Sequence, residues 1–176
     1  MRMTYAEFMQ LPEQPGLQLI DGLLVEEPSR RYEHQAVVGA LYLQVATYIK
    51  ERRLGRIILA PFDVVLADDQ VLQPDVLFVA EERRHIIRET GVFGAPDLVV
   101  EVLSPATRRY DEGRKRELYL EHGCREMWII DPDSLTVILA VPVDNRWHDT
   151  RLTRDDLLVS PALDGFQLRI GSLAPE

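Results

Sequence analysis

Asp97-Leu-Val-Val-Glu-Val-Leu103 is a strongly apolar run with one carboxylate inside it, and its surroundings decide the architecture. Its Val and Leu content predicts a buried strand. Ser104-Pro105 ends that strand. A helix is expected from about Thr107 or Tyr110 to His122, with Gly123 as its C-terminal stop. Glu126–Asp131 and Leu135–Val141 then form a further strand pair around Pro132-Asp133-Ser134. Working backwards, Glu81 to Gly94 is charged and reads as a short helix or a loop. Arg56–Ala67 and Val71–Ala80 read as two strands joined by Asp68-Asp69-Gln70 into a hairpin. From Tyr32 to about Arg53 the pattern is helical, because Val38, Leu41, Val45, Tyr48 and Ile49 recur at steps of three and four, with His34 on the same inward stripe. Leu17–Ile20 and Leu23–Glu26 flank Asp21-Gly22, a pair suited to a type I′ hairpin turn. Thr4 and Glu7 have capping-box spacing, which predicts a short helix over residues 4–11, ended before Pro12 and serving as a lid or clasp. In the tail, Leu152, Leu157, Val159, Leu163, Phe166, Leu168 and Ile170 fall in short alternating runs expected to complete the sheet. The expected fold is mixed α/β (α+β), with a central mixed sheet, the long first helix on one side and one domain over residues 1–176.

Composition limits the function. The 176 residues are 46% hydrophobic and 28% charged, as in a folded globular chain. Lys+Arg number 20 against 29 Asp+Glu, a net charge of −9, which argues against a protein that coats polyanions but leaves room for a local basic groove. A lone cysteine, Cys124, excludes an intrachain disulfide and a multi-cysteine metal site, and fits a reducing compartment. The N-terminus lacks the apolar stretch of a signal peptide. Ile57–Ala67, broken by Pro61 and Asp63, falls well short of the ~20 residues needed to span a bilayer. A cytoplasmic protein without a membrane partner is expected. Of the 20 basic residues only Lys50 and Lys115 are lysine, so a position that keeps Lys calls for a compact, titratable ammonium.

Three residues carry candidate chemistry. Glu101 interrupts the apolar run, and a buried carboxylate costs roughly several kcal/mol unless it is paired, protonated or bound to a cation. A buried salt bridge would also satisfy it. Asp75 follows Pro74 at the start of another apolar strand and alternates with Leu77 and Val79, so two strand carboxylates can converge; Pro-Asp is equally an ordinary turn pair. Lys115 shares a helical face with Asp111 and Tyr119, which supports either a site or a plain ion pair one turn apart. Two carboxylates suit Mg²⁺ or Mn²⁺, and an ammonium can orient water or offset developing charge, the set needed for metal-assisted phosphodiester hydrolysis.

Over nearly the whole chain these residues sit in blocks that resemble the PD-(D/E)XK nuclease superfamily, specifically its bacterial restriction-endonuclease-like branch long labelled a domain of unknown function. The blocks are Thr4 to Leu11, Leu19-Ile-Asp-Gly22, His34, Gln73-Pro-Asp-Val76, Ala95-Pro-Asp-Leu-Val-Val-Glu-Val-Leu-Ser-Pro105, then Asp111, Lys115, Tyr119 and Glu126-Met-Trp-Ile-Ile-Asp-Pro132. The resemblance implies a restriction-endonuclease-like fold with an N-terminal hairpin extension. It makes Asp75 and Glu101 the metal-holding pair and Lys115 the catalytic lysine. His34 becomes a further catalytic residue, with Asp111 and Tyr119 supporting. Leu103 stands where the motif lysine would be, and Lys115 replaces it from the following helix. Gln18 and Leu23 stand where the family tends to have glutamates, which favours one metal over two. Arg108, Arg109 and Arg114, with Arg116, are the phosphate-contacting candidates, while Trp128 reads as core. The implied activity is a divalent-metal-dependent endonuclease acting on DNA, for which a homodimer would suit cleavage of both strands. A non-catalytic interaction module on the same fold and a phosphoesterase acting on RNA or small substrates are the alternatives.

Overall fold

The computed structural model describes residues 2–12, 15–27 and 30–175. In chain order, helix α1 (Tyr5–Phe8) precedes strands β1 (Leu17–Ile20) and β2 (Leu23–Glu26). The long helix α2 (Tyr32–Arg52) leads into β3 (Gly55–Leu59), β4 (Asp63–Ala67), β5 (Gln70–Leu72) and β6 (Val76–Ala80). After a 3₁₀ turn at Glu81–Ile86 come β7 (Ile87–Arg88), β8 (Gly91–Phe93) and β9 (Leu98–Val102). Helices α3 (Arg108–Asp111) and α4 (Arg114–Glu121) lead to β10 (Glu126–Asp131), β11 (Thr136–Val143), β12 (Arg146–Leu152), β13 (Leu157–Ser160) and β14 (Phe166–Arg169), with a 3₁₀ turn at Ile170–Leu173.

The central sheet runs β12-β11-β10-β9-β6-β3, and a second six-stranded sheet runs β2-β1-β5-β4-β8-β7. Within the central sheet only β9 and β10 are parallel. Their crossover is α3 and α4, as a parallel pair requires. Side chains alternate faces along each strand, and both faces of the central sheet are buried. On one face Phe78, Val100, Trp128 and Ile130 pack against Val37, Leu41, Val45 and Ile49 of α2 and against the β13–β14 hairpin. On the other, Leu77, Val99, Met127 and Ile129 meet Ile20, Val64, Leu72 and Val92 of the second sheet and Leu118 and Tyr119 of α4. Because Val99 and Leu103 belong to the second face, Glu101 is held there too, inside an apolar layer.

The hairpin over 17–26 is present, with Asp21 and Gly22 both at positive φ as a type I′ turn demands. Thr4 and Glu7 form their reciprocal capping box, but α1 lasts barely one turn rather than running to Leu11. The expected long strands Arg56–Ala67 and Val71–Ala80 are each cut in two. Pro61 and Pro74 interrupt the ladders, so β3 and β6 pair in the central sheet while β4 and β5 pair in the other. The expected continuous helix to His122 is broken at Gly113, where an added Cβ would lie 2.7 Å from the Arg109 carbonyl oxygen. In the tail only β12 extends the central sheet. Strands β13 and β14 form a hairpin of their own, with Leu158 buried and Leu157 and Val159 exposed. The N-terminal hairpin is no appendage, since β1 pairs β5 and joins the second sheet. Among the described residues no helix is long and apolar enough to cross a membrane.

Candidate active site

The antiparallel register sets Val76 opposite Val100, which brings Asp75, just before β6, near enough to Glu101, just after Val100, for its charge to act on that carboxyl. The two carboxylates thus meet because Pro74 ends the preceding ladder just before β6 begins. Asp75 Oδ2 accepts a hydrogen bond from the Val102 backbone N–H at 2.7 Å, which fixes the carboxylate across the strand gap. His34, in the first turn of α2, brings Nε2 to 3.2 Å from the same oxygen. From the crossover, α4 lays Lys115 over Glu101, with Nζ 3.4 Å from Glu101 Oε1. The same ammonium lies 2.8 Å from Glu27 Oε1 and 2.9 Å from Asp111 Oδ1. Lys115 and Glu101 are both fully buried.

The electrostatics follow from crowding four carboxylates, those of Glu27, Asp75, Glu101 and Asp111, into a dry layer. Burial pushes Glu101 well above the ordinary carboxylate range; Lys115 opposes this, while Asp111, Asp75 and Glu27 add to it. Burial likewise raises Asp111, against the pull of Lys115. For Lys115 burial alone would lower the pKa, but Glu101, Asp111 and Glu27 together hold it above the ordinary lysine value, so it is charged at neutral pH. Tyr119 lies fully buried beside them, its hydroxyl without a hydrogen-bond partner among the described residues, and burial raises its pKa strongly with Glu101 adding to the effect.

A divalent cation can be tested against these donors. Glu101 Oε2 is buried and has no hydrogen-bond partner among the described residues, so no hydrogen bond offsets the desolvation of that oxygen. Every carboxylate here is a hard oxygen donor of the kind Mg²⁺ and Mn²⁺ take. Among the described residues no three His, Cys, Asp or Glu side chains already converge as a metal cage, and Lys115 and Arg30 pair with the carboxylates. The donor chemistry fits an ion at the Asp75–Glu101 pair, with cations already balancing the remaining acids.

Two members of this cluster, Glu27 and Arg30, are not among the site residues expected from the sequence. Glu27 lies just past β2, away from positions 18 and 23 where a glutamate was sought, yet it reaches Lys115 from 88 residues away. Arg30 stands among arginines spread along the chain. Its guanidinium pairs with Glu27, lies 3.7 Å from Asp75 Oδ1, and donates to Ser104 Oγ at 3.2 Å. The only sequence signal was the dipeptide Glu26-Glu27 before Pro28 and the pair Arg30-Arg31, both of which read equally as solvated charge. The arginines nominated from proximity in sequence sit elsewhere. Arg108 pairs with Asp131 at 2.8 Å and with Glu112, Arg114 grips Asp21 through two hydrogen bonds of 2.9 and 2.8 Å, and Arg116 grips Asp149. Arg109 is exposed. Gln18 donates nothing to the carboxylates; its Oε1 accepts from the Gln73 N–H, and Leu23 is exposed. Trp128 is fully buried and donates to Glu126, as a core residue.

Comparison with known proteins agrees with this architecture. A crystal structure from Anabaena variabilis, described as "a putative nuclease belonging to DUF820", superposes with a TM-score of 0.84 at 25% identity, covering 97% of each chain. No curated protein matches this chain. The model of the Uma2 family, described as "Putative restriction endonuclease", matches residues 5–171. With that match spanning both sheets, the α3–α4 crossover and all four clustered carboxylates, the chain belongs to the Uma2 family of restriction-endonuclease-like proteins.

Proposed function

We propose that this protein is a divalent-metal-dependent nuclease that hydrolyses phosphodiester bonds of DNA. The observation that carries the reading is Lys115, a fully buried ammonium 3.4 Å from Glu101, with Asp75 close enough to act on the same carboxyl. Stability alone seldom accounts for such an arrangement, because buried ion clusters are weak contributors compared with apolar packing. Asp75 and Glu101 would hold Mg²⁺ or Mn²⁺, which when bound polarises a phosphoryl oxygen and lowers the pKa of water.

The chain's own groups do the rest. The Val102 N–H holds Asp75 in one orientation before substrate arrives, with His34 Nε2 3.2 Å from the same oxygen. Lys115, charged at neutral pH beside Glu101, would offset the negative charge that builds on the phosphorus-bound oxygens. The oxygen of water would form the new bond to phosphorus while the bond to the leaving sugar oxygen breaks; the proton that water loses passes to solvent, and the leaving oxygen takes one up from solvent. Glu27 and Asp111 hold Lys115 on its two other sides. Two such sites would be needed to cut both strands, which a homodimer supplies.

Supercoiled plasmid incubated with Mg²⁺ or Mn²⁺ tests this directly. Wild type should nick or linearise it, and Glu101→Ala and Lys115→Ala should each lose at least about a hundredfold in rate, the scale of removing one preorganised charge. Equal cleavage by all three proteins would refute the assignment. Because Arg108, Arg114 and Arg116 are engaged by acids, the absence of DNA binding is a specific competing outcome. Affinity for DNA that is independent of salt, or absent at low salt, would exclude a phosphate-contacting groove and leave an interaction module.

A further inference from the structure

We propose that Arg30 is a competing counter-ion for the metal position, so that divalent-cation binding must displace its guanidinium from Asp75 and Glu27. The inference rests on the reading of Asp75 and Glu101 as the metal-holding pair. Arg30 differs from the other cation in the cluster in kind. Lys115 is on a helix, fully buried, and shared among three carboxylates. Arg30 rides on the connection between β2 and α2, its side chain retains 14% exposure, and it reaches the cluster from the rim. One guanidinium nitrogen faces Glu27 and Asp75, while the other donates to Ser104 Oγ at 3.2 Å and Thr107 Oγ1 at 3.4 Å. Those hydroxyls belong to the loop that ends β9 and starts α3, so the guanidinium spans both walls of the cluster.

A carboxylate oxygen facing a guanidinium cannot also coordinate a dication without bringing two positive charges into contact in a poorly screened place. Metal and Arg30 therefore bind with negative coupling, and the coupling is reciprocal. Arg30 stabilises the cluster when divalent cation is scarce, and it raises the concentration of cation at which the site fills. Lys115 cannot play this part, because Glu27, Asp111 and Glu101 share its ammonium and anchor it on the helix.

Isothermal titration of Mn²⁺ into full-length wild type, Arg30→Gln, Arg30→Lys and Arg31→Gln tests the proposal without any turnover. Arg31 controls for the general field, since it removes the same charge one residue away. Arg30→Gln should bind Mn²⁺ roughly tenfold more tightly, within the ~5- to 150-fold range of typical couplings, while Arg30→Lys and Arg31→Gln stay within about twofold of wild type. Thermal unfolding in EDTA and in saturating Mn²⁺ covers the case of a damaged fold: Arg30→Gln should melt lower than wild type in EDTA, and Mn²⁺ should raise it by more than it raises wild type. Unchanged or weaker Mn²⁺ affinity in Arg30→Gln, or equal tightening in Arg31→Gln, overturns the proposal and leaves the metal reading standing. Wild type and Arg30→Gln that both bind no Mn²⁺ overturn both.

Discussion

Replacing Lys115 by methionine removes one charge from the centre of the cluster and keeps its volume. Three carboxylates lose their shared partner: Glu27 at 2.8 Å, Asp111 at 2.9 Å and Glu101 at 3.4 Å. Each contact is worth on the order of 4 kcal/mol at an effective dielectric near 20, and most of that offsets the desolvation of the ions. The net loss on deleting one partner of a buried set is about 3–5 kcal/mol. For a chain of this size that lowers Tm by roughly 6–20 °C, taking about 2–4 °C per kcal/mol. The loss should depend on pH in a definite direction. Glu101 and Asp111 are already raised by burial, and without Lys115 they rise further. A carboxyl whose folded pKa exceeds its unfolded value stabilises the fold fully below the unfolded pKa, near 4, and this contribution fades as pH climbs toward the raised value. Within that window one retained proton changes stability by about 1.4 kcal/mol per pH unit. Urea unfolding in EDTA, followed by the fluorescence of Trp128 and Trp147, should show Lys115→Met several kcal/mol less stable than wild type at pH 7.5. At pH 5.5 the deficit should be about 1–3 kcal/mol smaller. A deficit below about 1 kcal/mol at pH 7.5, or one that is the same at both pH values, would refute the reasoning.

Gly113→Ala should cost about 1–3 kcal/mol, since the new Cβ would meet the Arg109 carbonyl oxygen at 2.7 Å; an unchanged urea midpoint would show that α3 and α4 can fuse without strain. Glu126→Ala leaves the Trp128 indole N–H, the Ser160 hydroxyl and the Ala162 N–H without their acceptor, bonds of 2.6, 2.7 and 2.7 Å. The loss should exceed about 3 kcal/mol, with Glu126→Gln losing less, and chemical denaturation of the pair checks the order. Cys124 is fully buried and its thiol is pushed up to about 12 by burial, so a thiol reagent at pH 8 should label it only after denaturant is added; rapid labelling of the folded chain would contradict that placement.

Much of the fold was legible because local chemistry and burial agreed. Helix α2 shows its stripe in the spacing of Leu41, Val45 and Ile49, and the first hairpin shows its turn in Asp21-Gly22. Legibility failed where a residue's local preference and its long-range pairing diverged. Arg56–Ala67 looks like one strand, since all its apolar residues favour extended backbone. Pro61 sends its halves to different sheets, and no periodicity within the segment announces that. In the candidate site, Glu101 and Asp75 were visible because a carboxylate in an apolar strand is costly wherever it points. Glu27 and Arg30 were not, because charged residues in a connecting segment look the same whether they face water or a buried lysine.

The elements and the chemistry on offer are written along the chain: apolar strands carrying Asp75 and Glu101, a helical face of Asp111, Lys115 and Tyr119, and a family pattern that joins them. The tertiary structure alone decided which charges share a space. Glu27 meets Lys115, and Arg30 meets Asp75, Ser104 and Thr107, while Arg108 and Arg114 are turned to Asp131 and Asp21. The reason is physical. Backbone preference and hydrophobic period act over a few residues and are written locally, whereas the partner of a charge is settled by whichever distant chain segment the packed sheets bring within a few ångströms.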